Sequence, residues 1–396
     1  MNALYLCYQS VHEPLTRTQV VAYLEGLARD GHGMVLVTFE PRRQSRAERR
    51  RIRTELRGRG VIWYHLRYHK RPTVPATAWD SAMGVLFGLL LIARHRIGLV
   101  HARSHVPAMM GMALKWLTST RLLFDVRGLL AEEYVDAGVW PADGRLFRGT
   151  KNMERTLVRA ADGLVVLTSR GADLLRSWYP DELKGKPVAV IPCCVDLRGH
   201  ALAVPTPSSA GRPALVYVGK LGGWYWDEAM IDFFQAVRER MPEARLQIWT
   251  QSDADALRRL VEHRGLEASV TIGTTTPDRI PAALAGADVG LSFIHPTPSK
   301  VASSPTKIGE YLAAGLPVVT NRGIGDLDEL LHGEDGALGI TVESNDGYRA
   351  AAAELASLLQ EPGLHERCRI AAARSLDLAG VGWVRYRAMY QQLADR

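Results

Sequence analysis

The sequence predicts an α/β protein built from two doubly wound, parallel-sheet domains in tandem. Three observations carry that prediction. Short apolar runs alternate with amphipathic segments from the first residues onward, the arrangement that buries a parallel sheet beneath helices on both faces. The alternation breaks at residues 198–213 (RGHALAVPTPSSAGRP), which are rich in Pro, Ser and Gly, and then restarts. The length, 396 residues, exceeds what one core accommodates and suits two domains of about 150 to 200 residues.

In chain order, ALYLCY (3–8) reads as a strand and TQVVAYLEGLARDG (18–31) as a helix closing on Gly31. Strands are expected again at 33–39, 61–66, 98–103, 121–128, 163–169 and 188–193. After the break the pattern resumes with a strand at 214–219, a helix at 227–240 and a strand at 244–250. The helix ADALRRLVEHRG precedes a strand at 269–273, and the helix PDRIPAALAGA precedes one at 288–294. A helix within SSPTKIGEYLAAGLPVV (303–319) then leads to a strand at 316–321. The expected organisation is a first domain 1–197, a linker 198–213, a second domain 214–380, and a carboxyl-terminal helix in 381–396 that packs back on the first domain. In open sheets of this kind ligands bind beyond the carboxyl ends of the strands.

Charge is unevenly divided. Residues 1–200 carry 30 Lys and Arg against 18 Asp and Glu, and the remainder 19 against 24, so a basic half adjoins a mildly acidic one. The first half is therefore expected to meet an anionic partner. Its most basic run, RRQSRAERRRIRTELRGR (42–59), holds nine arginines against two glutamates. It lacks the interleaved aromatic residues that a nucleic-acid site uses, so nucleic acid is not an expected partner. A solvated charge run and contact with an anionic membrane surface both fit it. The four cysteines show no metal-ligand or C-x-x-C spacing, and the amino terminus has no basic segment followed by a long apolar run. A reduced, cytoplasmic protein is the expectation, peripheral on the inner face of the membrane if the basic run meets lipid. The most apolar stretch, AMGVLFGLLLIA (82–93), has 12 residues, where a bilayer span needs about 20, so no transmembrane helix is expected.

Two constellations carry the chemistry. In VYVGKLGGWY (216–225) a strand runs into Gly219, Lys220, Gly222 and Gly223; glycines there let backbone N–H groups approach an anion, and the lysine adds a charge. A tight strand-to-helix turn with an exposed lysine would read the same way. In SSPTKIGEYLAAGLPVV, Ser304 is the expected N-cap and Pro305 the first helical residue. Thr306, Lys307 and Glu310 share one face of that helix, and Ile308, Tyr311 and Leu312 the other. A solvated Lys–Glu pair is the plainer reading, but the position at a strand's carboxyl end favours a ligand.

VYVGKLGGWY followed by SPTKIGEYLAAGLPVVTN resembles the donor half of glycosyltransferase family 4, a two-domain family with the GT-B fold, two Rossmann-like domains facing a central cleft. VLTSRGADLL, VIPCCVDL, VHARSHVPAMMG and FDVRGLLAEEYVDAGVW are similar to that family as well, so the resemblance spans nearly the whole chain. It implies retaining transfer of a sugar from a nucleotide-diphosphate sugar to a glycan or lipid-linked acceptor, with no metal and no cofactor. By the resemblance Glu310 holds the ribose hydroxyls, and Lys220 and Lys307 with the backbone around Ser304 to Thr306 hold the diphosphate. Arg17, at the start of the first helix, is a further diphosphate candidate from the first domain. The family places a histidine near VHARSHVP: His101, Arg103 and His105 compete for that catalytic position, with Arg103 and His105 the better placed. Asp125, Arg127 and Glu132 are candidates for the acceptor side, although Asp125 and Arg127 also suit a mutual ion pair. One departure stands out: where the family has a first glutamate eight positions before Glu310, this chain has Ala302. That leaves two rival readings, a sugar-nucleotide 2-epimerase of the same fold and a non-catalytic partner subunit.

Overall fold

The structure, a computed structural model, describes residues 1–199, 212–276, 279–333, 336–343 and 347–396. Most of the linker expected at 198–213, and the first two residues of the helix expected at 277–287, lie outside the described residues. The chain divides into two units, Met1–Pro192 with Val381–Arg396, and Cys193–Gly380. The division falls five residues before the expected boundary because Val195 is tied to the second unit, its N–H donating to Leu376 O and its carbonyl accepting from Leu378 N.

The first unit holds seven parallel strands: β1 (Asn2–Cys7), β2 (Gly33–Glu40), β3 (Val61–Arg67), β4 (Leu99–Arg103), β5 (Arg121–Asp125), β6 (Gly163–Val166) and β7 (Val188–Val190). Their order is β3-β2-β1-β4-β5-β6-β7, so the winding reverses between β1 and β4. Helices cover both faces, which explains why β1 is buried from Ala3 to Cys7 rather than alternating. The helix Val384–Ala394 belongs to this unit. Trp383, just before it, lies over Gly26, where a Cβ would stand 2.3 Å from the indole, and donates its ring N–H to Ala22 O at 2.9 Å. Tyr386 and Tyr390 reach the sheet beyond it.

The apolar stretch at 82–93 sits inside a longer helix, Thr73–His95, of 23 residues, which by length and composition alone would cross a membrane. It does not cross one here, because it is the crossover from β3 to β4 and both strands belong to one sheet. The uninterrupted apolar run omits its amino-terminal half, where Ala76 and Asp80 already face inward.

The second unit holds β8 (Ala214–Val218), β9 (Arg245–Trp249), β10 (Val270–Gly273), β11 (Val289–Ser292), β12 (Val318–Asn321) and β13 (Gly339–Val342), in the order β10-β9-β8-β11-β12-β13. The last strand, a four-residue edge, is not among those expected from the sequence. The winding reverses between β8 and β11, and those strands pair only at Leu215–Val289 and Val216–Gly290. Beyond that the buried Tyr311 hydroxyl stands between them, accepting from Val218 N at 2.9 Å and donating to Leu291 O at 3.2 Å. Its ring lies against Gly290, where a Cβ would come within 2.3 Å of it. One tyrosine thus satisfies both backbones while parting the strands at their carboxyl ends, at the switch point.

Candidate nucleotide-sugar site

β8 ends in the loop Gly219–Trp226, and the helix Asp227–Arg240 follows. Gly219 adopts φ 149°, and Gly222 and Gly223 adopt φ 68° and 62°, values that side-chain-bearing residues rarely take. The loop is pinned by Leu221 N–H donating to Ser252 Oγ at 3.1 Å and Gly222 N–H to Asp227 Oδ2 at 2.8 Å. Tyr217 donates its hydroxyl to Lys220 O, leaving the Lys220 side chain exposed.

Against this loop stands the start of the helix Thr306–Ala313. Pro305, not Ser304, is its N-cap, and the Ser304 hydroxyl instead accepts from Cys193 N at 3.0 Å. The fixed φ of proline suits the cap as well as the first turn, so the expected start is moved by one residue. Thr306 is partly buried at the first helical position. Lys307 is the unusual residue. It is only 6% exposed, its Nζ has no hydrogen-bond partner among the described residues, and it lies 3.9 Å from the Tyr217 ring centre and 4.3 Å from that of Tyr225. A Cβ at Gly219 would fall 2.9 Å from that Nζ, so the loop passes close over the ammonium, and the φ of 149° favours glycine there.

The plainer reading of Lys307 and Glu310 as a solvated pair therefore fails. Burial pushes the Lys307 ammonium down to about 7, against the pull of Glu310 and Asp227. Burial likewise pushes the partly buried Glu310 carboxyl up to about 7, opposed by Lys307. A cation in the first turn also works against the helix dipole. An ammonium buried in the first turn of a helix, with no hydrogen-bond partner among the described residues, suits an anion entering beside it.

Several residues of this edge carry no separate signal in the sequence. Asp227 has a buried Oδ1 without a hydrogen-bond partner among the described residues, and burial raises its carboxyl. Lys300 is buried in the 3-10 helix Pro298–Ala302, its Nζ 3.6 Å from the Trp224 ring centre. Ala302, at the place of the family's glutamate, is 7% exposed. At the carboxyl ends of β9 and β10 a cavity of about 760 Å3 is lined by Trp249, Gln251, Thr274, Thr275, Thr276 and Arg279. The buried indole N–H of Trp249 has no acceptor among the described residues. The aromatic cluster WYW at 224–226 is the nearest sequence clue, and by its pattern it reads only as part of a turn.

In the first unit the structure revises most of the expected site residues. Asp125 is fully buried at the end of β5. It accepts from Tyr386 at 3.1 Å and Tyr5 at 3.4 Å, with Arg127 at 3.4 Å and Arg103 at 3.7 Å. Burial works against its charge, but the Arg127 guanidinium, then His101 and Arg103, hold its carboxyl well below the usual range. Asp125 and Arg103 are thus a buried ion cluster, not an acceptor-facing carboxylate and an open catalytic cation, and Arg127 takes the ion-pair alternative. His101 belongs to the same cluster, its Nδ1 2.9 Å from Tyr390 Oη, and burial lowers its pKa. His105 is 2% exposed and faces inward, with Nε2 3.2 Å from Glu154 Oε2 of the helix Arg145–Ala160. A helix that starts immediately after β4 turns its first residue under the neighbouring helix, so His105 is a core histidine. Arg17 is paired with Glu55 at 2.7 Å on the helix Arg46–Gly58, which occupies its guanidinium. Glu132 pairs with Lys151 at 2.9 Å and lines a cavity of about 380 Å3 with Asn152, Arg155 and Trp178. Between Arg103 and His105, Ser104 takes φ 70° and ψ 179°, a conformation that costs of order 1–3 kcal/mol outside glycine.

Comparison with known proteins bears on the family and the fold. Residues 16–194 match the family model described as "Glycosyl transferase 4-like domain", and residues 212–361 the model described as "Glycosyl transferases group 1". A search of curated proteins finds no match. Among solved structures the chain is similar to a sucrose-phosphate synthase from Thermosynechococcus elongatus (16% identity, 100% of this chain and 99% of that one, TM-score 0.72). It is also similar to a glycosyltransferase from Rickettsia africae (15% identity, 100% and 99%, TM-score 0.73). A third likeness is to HepE from Anabaena in complex with UDP-glucose (14% identity, 100% of both chains, TM-score 0.66). These likenesses show the fold, and the two family models together span most of the chain. The protein is a GT4-like glycosyltransferase with the GT-B fold.

Proposed function

We propose that this glycosyltransferase is a retaining, metal-independent enzyme that moves a sugar from a nucleotide-diphosphate sugar to a glycan or lipid-linked acceptor in cell-surface polysaccharide synthesis. The observation that carries the reading is Lys307: a buried ammonium with no hydrogen-bond partner among the described residues, under a glycine loop, at the switch point of the second sheet. Lys307 and Lys220 would take the diphosphate, their charge growing more valuable as the leaving group separates from the sugar. Those cations would do the work that a metal does in other transferases. Glu310, one turn along, would accept from the ribose hydroxyls, and the cavity beside Trp249 would take the base. HepE has been solved in complex with UDP and with UDP-glucose, which supports a nucleotide-sugar donor here. Another similar structure is that of a lipopolysaccharide outer core galactosyltransferase, which supports a cell-surface glycan as acceptor. The protein is read as cytoplasmic, at the inner face of the membrane.

Ala302 favours the non-catalytic alternative, since the family's sugar-contacting carboxylate is missing. Proton NMR of each of UDP-, GDP- and ADP-hexoses, in EDTA, with and without a membrane lipid extract as acceptor, separates the readings. The proposal expects acceptor-dependent consumption of one donor, with its anomeric configuration kept in the product. Conversion of the donor sugar without acceptor would identify the epimerase instead. Nucleotide binding without turnover would identify the partner subunit.

A further inference from the structure

The first unit presents two exposed features that neither its sheet nor a donor site explains, and they are continuous. At the carboxyl ends of β2 and β3, on the edge of the sheet, lies a cavity of about 840 Å3. Arg43, Arg46, Arg49 and Arg67 line it, and none has a carboxylate within ion-pair distance among the described residues. Arg42 is neutralised by Glu48 at 2.8 Å. The buried Glu40 carboxylate is engaged by Ser10 Oγ, Val11 N and Thr38 Oγ1, at 2.5, 2.9 and 2.6 Å. His65, also on the wall, has a buried Nδ1 without a hydrogen-bond partner among the described residues. Four guanidiniums around one concavity make it strongly cationic, and their planar donors suit phosphate oxygens.

The second feature is the outward side of the helix Thr73–His95. Its inward side packs closely, with Gly84 against Met110 and Gly88 against Leu114. Trp79, Met83, Leu86 and Leu90 point away at spacings of four, three and four, between about a third and two thirds exposed. That spacing forms one apolar stripe about 16 Å long. The adjacent helix His105–Leu117 ends in Trp116 and Leu117, both also exposed. Between cavity and stripe run Arg67, His69, Lys70 and Arg71, all exposed. His69 fastens this segment to the helix through Asp80, its ring 2.6 Å from Oδ1 and its backbone N–H 2.9 Å from Oδ2. The basic segment is thereby held at the Trp79 end of the stripe.

We propose that this face of the first unit docks on an anionic lipid bilayer, the cavity arginines holding lipid phosphates and the helix stripe lying among the outer acyl carbons. Charge complementarity selects the occupant: a cationic cavity beside an apolar stripe with a tryptophan at the junction matches the charged and apolar layers of a membrane interface. The helix lies in the plane of the interface, since its two ends are fixed to one sheet. The inference deepens the membrane localisation proposed above and does not depend on the donor site.

Vesicle flotation tests it, using phosphatidylcholine alone and phosphatidylcholine mixed with phosphatidylglycerol. The unaltered protein is expected to float with the mixed vesicles and not with the neutral ones. The variant Arg43→Gln/Arg46→Gln/Arg67→Gln is expected to lose partitioning by about a hundredfold. Trp79→Ser/Leu86→Ser/Leu90→Ser, and the milder Trp79→Ala, are expected to leave binding that moderate salt abolishes. All are surface substitutions, so thermal unfolding and stabilisation by nucleotide sugar should be unchanged, which separates this test from the donor-site reading. The proposal is overturned if the unaltered protein ignores the anionic vesicles, or if the variants float as it does. It is equally overturned if the protein is a dimer in solution that the Ser variant dissociates, which would assign the stripe to a second copy.

Discussion

Lys307 condenses the functional claim into one side chain. The unfolded chain keeps its ammonium near the ordinary lysine value, whereas the fold lowers it to about 7. The folded form therefore gains stability as pH rises from about 7 towards 10, where it has shed the proton and the unfolded chain has not. Anion binding runs the opposite way, because it needs the charged form. Calorimetric affinity for a nucleoside diphosphate should fall above pH 7, with proton uptake on binding. Lys307→Met should remove that alkaline fall, lower affinity about 10- to 100-fold, and leave the ligand-free protein no less stable. An unchanged pH profile in the variant would show that the ammonium does not meet the ligand. The sequence already marks Lys307 and Glu310, because polar residues opposite Ile308 and Tyr311 stand out against a buried helix. It does not reveal that Lys307 is buried, since nothing local announces that Tyr217, Tyr225 and Gly219 close over it.

At the scale of elements, strands and helices follow the apolar periodicity closely, and the helix Asp227–Arg240 has the expected bounds. Departures arise where an element's surroundings, not its pattern, set the outcome. The four residues of β13 are too few to show a period, and they form a strand because β12 offers them an edge. His105 resembles a site residue because it follows a strand, yet the packing of the helix Arg145–Ala160 turns it inward. Asp125 shows the same effect more strongly, since the helix Val384–Ala394 lies more than 250 residues away and supplies Tyr386 and Tyr390 to its cluster. Asp125→Ala should therefore act on stability. It leaves Arg103 and Arg127 near one another without their carboxylate, at a cost of about 3–5 kcal/mol, and loosens the carboxyl-terminal helix. Hydrogen exchange should report faster opening of residues 384–394, and the unaltered protein should lose the Asp125 contribution only as pH falls below the ordinary aspartate range. Unchanged exchange in that helix would show that the cluster does not anchor it.

For the whole molecule, two doubly wound units are legible from alternation and from one compositional break, because parallel sheets demand that pattern over long stretches of chain. Charge division is legible too, and the structure gathers four arginines of the basic half, without carboxylate partners among the described residues, around a cavity at one sheet edge. The sequence already assigns Gly219 and Lys307 to one donor site but not Trp249 or Lys300, because the four are spread over 89 positions and share the carboxyl edge of one sheet only through its topology. The central claim is that the carboxyl edge of the second unit binds a nucleotide-diphosphate sugar. The most direct test is a thermal-shift panel of UDP-, GDP- and ADP-sugars on the protein and on Glu310→Ala. At least one donor class should raise the unfolding temperature of the protein, and the variant should lose most of that rise. No stabilisation by any donor, or equal stabilisation of the variant, would contradict it.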